Sequence, residues 1–126
     1  MSVRRVFVYG TCMKGESRHH VVQGCRFVGE YEVPGLLFDT GYGYPAALFD
    51  PQCTVKVRGE MYEFSSNHDA QFLQQMDKLE GVDFGLFDRR ELHVDGKSLY
   101  AYEAGVELRR QIKDHQKIQS GAWKKR

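Results

Sequence analysis

The sequence predicts an α+β fold, and three observations carry that prediction. Segments rich in valine and aromatic residues recur at strand length, punctuated by glycine and proline. One segment, Ala70 to Glu80, has firm helical periodicity. Strands and helix do not alternate along the chain, as a doubly wound parallel sheet would require.

Val3 to Tyr9 (VRRVFVY) stops at Gly10 and reads as a buried first strand. Gly10 to Gly15 (GTCMKG) is a loop between two glycines, and Glu16 to Gln23 is expected as a short helix stopped by Gly24. From Cys25 to Phe49, β-branched and aromatic residues are interrupted by Pro34, Gly35, Gly41, Gly43 and Pro45. That pattern predicts two or three short strands joined by tight turns. Val55 to Phe64 alternates, with Val55, Val57, Gly59, Met61 and Glu63 on one face and Lys56, Arg58, Glu60, Tyr62 and Phe64 on the other. Ser65 to Asp69 offers helix-capping side chains. In the helix that follows, Phe72, Leu73, Met76 and Leu79 share a face, and Gly81 is a natural stop. Phe87 to Val94 and Ser98 to Ala104 read as two strands around the turn Asp95-Gly96. Leu108 to Ile118 is expected to hold a second short helix, and the closing Trp123-Lys-Lys-Arg a loosely held tail.

A chain of 126 residues fits a single domain, read here as residues 1–126. Lys plus Arg number 18 and Asp plus Glu 17, for a net charge of +1. That balance lacks the basic excess of a nucleic-acid binder, so no nucleic-acid partner is expected. The longest uncharged run, Thr40 to Phe49, is half a membrane span and carries two glycines, so no membrane partner is expected. Arg4 and Arg5 are not followed by an apolar run, as a signal peptide requires. Cys12, Cys25 and Cys53 are odd in number and lack CxxC spacing, which reads as reduced thiols and a cytoplasmic location. No metal site is expected, since His19 and His20 are adjacent and cannot serve one site from one helical face.

Chemistry has three candidate places. A glycine-bounded turn leaving a buried strand exposes backbone N–H groups that can hold an anion or oxyanion, here from Gly10 onward. Its Gly10–Gly15 spacing is that of a phosphate-binding loop, but Glu16 stands where such a loop needs lysine, so nucleotide binding is rejected. The bland alternative is an ordinary tight turn. Glu80 ends a helix, where partial negative charge disfavours an anion, and sits beside Leu79. A partly buried carboxyl there has a raised pKa and can move protons near neutrality; a solvated helix-end glutamate is its bland reading. Tyr42-Gly43-Tyr44-Pro45 either lines a small polar pocket or covers the core edge. Cys12 lies in the loop but has no assignable base for a thiol mechanism, and His19 and His20 read as capping or orienting residues. Arg89 and Arg90 either fork a substrate carboxylate or form salt bridges on a solvated face.

Several motifs fall in one order along the chain. They are Val6-Phe-Val-Tyr-Gly-Thr-Cys-Met-Lys-Gly15 with His19-His20, then Tyr44-Pro45-Ala46, then Val57-Arg-Gly-Glu-Met-Tyr62. Met76-Asp-Lys-Leu-Glu-Gly81, Arg89 and Ser120-Gly-Ala-Trp123 complete the series. Together they resemble the gamma-glutamylcyclotransferase-like family, including its gamma-glutamylamine and butirosin-type members, from Val6 to Trp123. The resemblance implies a small mixed β-barrel with flanking short helices and no cofactor. It implies an intramolecular acyl transfer in which a γ-glutamyl compound releases 5-oxoproline and an amine, amino acid or peptide. It assigns Glu80 as general acid/base, Tyr9, Gly10, Thr11 and Cys12 as the substrate-binding loop, and Tyr44 with Phe87 as pocket walls. The chain departs from the family pattern at Cys12 (often leucine), Phe87 (tyrosine in many members) and Ala122 (aspartate). Phe87 and Ala122 are the features of a rival class, a non-catalytic small-molecule-binding or regulatory protein on the same fold. The oligomeric state is not written in the sequence.

Overall fold

The computed structural model describes residues 4–65 and 69–126. Val3 and most of the capping segment expected before the helix therefore lie outside the described residues. Among the described residues, six strands and two helices follow in the order β1 (Arg5–Val8), β2 (Arg26–Asp39), β3 (Pro45–Phe49), β4 (Lys56–Glu63), α1 (Asp69–Leu79), β5 (Phe87–Val94), β6 (Lys97–Ala104) and α2 (Val106–Gln111). Short 3-10 turns occupy His19–Val22, Val82–Phe84, Asp114–Gln116 and Trp123–Lys125.

The strands form one mixed sheet in the order β3-β2-β4-β1-β6-β5, curled into a nearly closed barrel. β1 lies at its centre, antiparallel to β4 and parallel to β6. Val6, Phe7, Val57, Met61, Leu99 and Ala101 fill the middle of this sheet and are essentially inaccessible to solvent. Met76 carries the apolar face of α1 onto the same core.

Closure at the open side is made by side chains. Only one edge of β3 pairs with β2, which leaves the N–H groups of Ala47 and Phe49 facing the gap. The Tyr9 hydroxyl accepts the first at 3.1 Å, and Glu103 Oε1 of β6 accepts the second at 3.2 Å. Glu103 is 6% exposed and is also held by Arg90 at 3.2 Å and Arg109 at 2.8 Å. A buried carboxylate is tolerated here because two guanidiniums and a backbone donor satisfy it.

Five sequence expectations are corrected. The interrupted region from Cys25 to Phe49 holds two strands, and one of them is fourteen residues long. Pro34 and Gly35 do not break β2, because they mark where it changes partner, from β4 up to Pro34 to β3 from Gly35 onward. Glu16 to Gln23 forms only a 3-10 turn at His19–Val22, and the second helix is Val106–Gln111 rather than Leu108 to Ile118. In β4 the alternation fails beyond Arg58, since Glu60 and Tyr62 are buried and hydrogen-bonded to each other at 3.0 Å. The C-terminal residues are not loose. Trp123 is buried, and Arg126 stacks its guanidinium on the indole at 3.6 Å.

Candidate active site

β1 ends at Val8 and delivers Tyr9-Gly10-Thr11-Cys12 into a tight loop. The Met13 N–H donates to the Gly10 carbonyl at 3.1 Å, and the Arg18 N–H to the Thr11 carbonyl at 2.8 Å. His19 Nδ1 lies 3.0 Å from the Cys12 carbonyl. Farther along, the Lys14 N–H donates to Glu60 Oε1 at 2.9 Å. The loop's carbonyls are thereby occupied, while the N–H groups of Gly10, Thr11 and Cys12 meet no acceptor among the described residues. Gly10 is required by close approach: a Cβ there would stand 2.8 Å from the Pro45 ring.

Glu80 is the first residue past α1. Its N–H still bonds the Met76 carbonyl at 2.9 Å, and Gly81 then turns the chain through a left-handed conformation at φ 62°. Gly81 is also confined by Leu86, which a Cβ would meet at 2.8 Å. Periodicity, stop residue and packing therefore all fix the end of α1, and with it the direction of Glu80. The carboxylate forms no hydrogen bond or ion pair with any described residue. Burial raises its pKa from 4.5 to about 7, against an opposing pull from the Arg18 charge.

The loop and Glu80 line the same cavity of about 120 Å³. Tyr44 and Phe87 form part of its wall, with ring centroids 5.9 Å apart. All seven residues singled out from the sequence (Tyr9, Gly10, Thr11, Cys12, Tyr44, Glu80 and Phe87) are brought together here. They do not all offer functional groups to it. The Tyr9 hydroxyl is committed to the barrel seam, donating to the Tyr102 carbonyl at 2.5 Å while accepting from Ala47. Burial first, and the nearby Glu80 second, push the Cys12 thiol up to about 12, so it is no thiolate near neutrality.

Other candidates sit elsewhere. Arg89 pairs with Asp77 at 3.1 Å and Arg90 with Glu103 at 3.2 Å, so both take the salt-bridging alternative. Tyr42 is largely exposed and donates to Gln111 at 2.7 Å, whereas its neighbour Tyr44 faces the cavity. Ala122 is outside the cavity lining.

Two polar cavity residues escape sequence reasoning. Arg18 arrives through the backbone closure onto Thr11, within a polar stretch that has no periodicity. Tyr102 reads as an ordinary strand residue, but its ring lines the cavity and its hydroxyl donates to Asp77 at 2.5 Å. The described residues contain no group of three or more His, Cys, Asp or Glu side chains placed to hold a metal ion. No helix among them is long and apolar enough to cross a membrane.

The chain is similar to known proteins over nearly its whole length. Residues 6–125 match the family model described as "Gamma-glutamyl cyclotransferase, AIG2-like". The gamma-L-glutamyl-butirosin B gamma-glutamyl cyclotransferase of Niallia circulans is 36% identical over 96 residues, covering 71% of this chain and 57% of that protein. This chain thus matches little more than half the length of that relative. A Vibrio cholerae protein, provisionally named a gamma-glutamylcyclotransferase, is 33% identical over 121 residues, covering 94% of this chain and 93% of that one. In fold, the crystal structure of an uncharacterized protein from Pyrococcus horikoshii superposes with a TM-score of 0.71 at 24% identity, covering 97% of this chain and 90% of that one. The curled mixed sheet, the ordered motifs and these similarities agree: the chain belongs to the gamma-glutamyl cyclotransferase, AIG2-like family.

Proposed function

We propose that this chain is a γ-glutamyl cyclotransferase, converting a γ-glutamyl compound to 5-oxoproline and a free amine, amino acid or peptide. One observation carries the reading. Glu80, a partly buried carboxylate with no partner among the described residues, shares a small cavity with the N–H groups of Gly10, Thr11 and Cys12, which meet no acceptor among them.

The substrate holds its own nucleophile, so ring closure benefits from a high effective molarity. Glu80 takes a proton from the α-ammonium, and the freed amine attacks the γ-carbonyl carbon. The carbonyl oxygen gains the electron pair and is held by the loop amides. The bond from carbon to the leaving nitrogen then breaks, and the protonated Glu80 supplies a proton to that nitrogen. Overall the attacking nitrogen loses two protons and the leaving nitrogen gains two when it departs as an ammonium. Atoms and charge balance with no redox partner.

Burial suits Glu80 to both steps. A carboxyl with a pKa near 7 is a stronger base than a solvated glutamate and still exists as an acid at neutral pH. Tyr44 and Phe87 close the cavity around the glutamyl chain.

The test is incubation with a panel of γ-glutamyl amines, amino acids and peptides, with 5-oxoproline measured by mass spectrometry. Product from at least one compound, lost by about 10²–10⁴-fold in a folded Glu80→Gln variant, is expected. The pH profile of kcat/KM should rise through about 7, where free Glu80 loses its proton. Binding without product across the panel would favour the non-catalytic class instead.

A further inference from the structure

The cavity holds one charge that the reaction does not use. Arg18 is the only cation among the described residues that line it. Its side chain is exposed and makes no ion pair or hydrogen bond with a described residue. Its backbone N–H is fixed to Thr11 at 2.8 Å, so the residue is tied to the loop that carries the free amides. Its charge is felt inside the cavity, opposing the upward shifts of Glu80, Cys12 and Tyr44. At Glu80 that influence is outweighed by burial, and no ion pair joins the two residues.

Building on the cyclotransferase reading, we propose that Arg18 sets substrate specificity by binding a carboxylate on the leaving portion, so that preferred substrates are γ-glutamyl amino acids or peptides with a free carboxylate there. The charges of the substrate order it in the cavity. The α-ammonium must reach Glu80, which lines the cavity. The glutamyl α-carboxylate is bonded to the same carbon and is therefore held at the same depth, near the loop amides. The leaving portion lies at the other end of the γ-glutamyl chain and extends toward solvent, where the Arg18 guanidinium is exposed. A guanidinium meets a carboxylate there through two parallel N–H···O bonds, and it repels a cationic leaving portion.

The probes are γ-glutamyl-alanine and γ-glutamyl-alaninamide, which differ only in that terminal carboxylate. The native protein is expected to favour the first by about five- to tenfold in kcat/KM, the range of a partly exposed charge-assisted pair. Arg18→Gln should bring the two within about twofold of each other, and Arg18→Glu should reverse the order. Reversal is a readout that loss of folding cannot produce. A native protein indifferent to the carboxylate overturns the assignment. So does an Arg18→Gln variant that loses both activities equally, because Arg18 would then serve the glutamyl head. Either result leaves the cyclotransferase reading standing. Absence of product from both probes and from the wider γ-glutamyl panel removes that reading and this one with it.

Discussion

The indole Nε1 of Trp123 donates to Glu16 Oε1 at 3.1 Å, joining residues 107 positions apart. The contact ties the C-terminal turn to the segment that follows the amide loop. Lys124 reinforces it by donating its ammonium to the Lys14 carbonyl. The Trp123 ring is 3% exposed, so truncating it leaves a cavity as well as an unpaired carboxylate. Trp123→Ala should cost about 3–5 kcal/mol in urea unfolding. Trp123→Phe, which keeps a ring and loses only the donor, should cost about 1–3 kcal/mol. Equal stability of all three proteins would show that the C-terminal turn is not part of the cooperative unit.

The barrel seam makes an asymmetric prediction. Glu103 is 6% exposed, whereas Arg90 and Arg109 are 41% and 47% exposed. Removing the carboxylate strands a backbone N–H at Phe49 and leaves two guanidiniums without their shared partner. Removing either arginine leaves the other in place, with water available to its vacated position. Glu103→Ala should therefore cost about 3–5 kcal/mol, and Arg90→Ala or Arg109→Ala about 1 kcal/mol each. Thermal and urea unfolding of the three variants would check the order.

These two contacts also show what the sequence conceals. Local signals are legible when a segment's neighbours in space are its neighbours in sequence. The face formed by Phe72, Leu73, Met76 and Leu79, the stop at Gly81 and the turn at Asp95-Gly96 are all of this kind, and the structure has each of them. Glu80 followed from the helix end, and the loop amides from a strand that stops at glycine. Long-range pairings leave no periodic trace. Pro34 and Gly35 look like strand breakers until β3 and β4 are both in view, and Glu60 looks solvent-facing until Lys14, from the loop after β1, reaches it. Arg18 entered the cavity by a local closure, onto Thr11, in a loop whose polar residues carry no periodicity. Tyr9 shows the converse: its position was legible, but the use of its hydroxyl in the seam depends on Ala47 and Tyr102.

Glu80 should make the native state sensitive to pH in an unusual direction. Its ordinary value is 4.5 and its folded value about 7. Between these limits the unfolded chain gives up the proton while the folded chain keeps it, so this residue's contribution to stability falls as pH rises through the window. The full loss is roughly 3 kcal/mol, complete above about pH 7. Glu80→Gln cannot ionise and escapes the penalty. The variant should therefore gain stability relative to the native protein on going from pH 5 to pH 8, measured by urea unfolding at both. An unchanged difference between the two pH values would mean that the carboxyl is well hydrated, and the proton relay proposed for it would lose its basis.

Cys12 should be the slowest thiol to alkylate. It is 5% exposed, and burial, with Glu80 adding to it, lifts its pKa to about 12. Thiolate is the reactive species, so at pH 8 only about one part in 10⁴ of Cys12 is available even before access is counted. Cys25 and Cys53 are both partly exposed. Burial also raises Cys25, but it remains more accessible than Cys12. Iodoacetamide at pH 8, followed by peptide mass spectrometry, should label Cys53 and Cys25 well before Cys12. 5-oxoproline formation should persist while the first two are modified. Rapid labelling of Cys12 that tracks loss of product would instead point to a thiolate in the cavity. It would reopen the covalent mechanism that the buried, protonated thiol argues against.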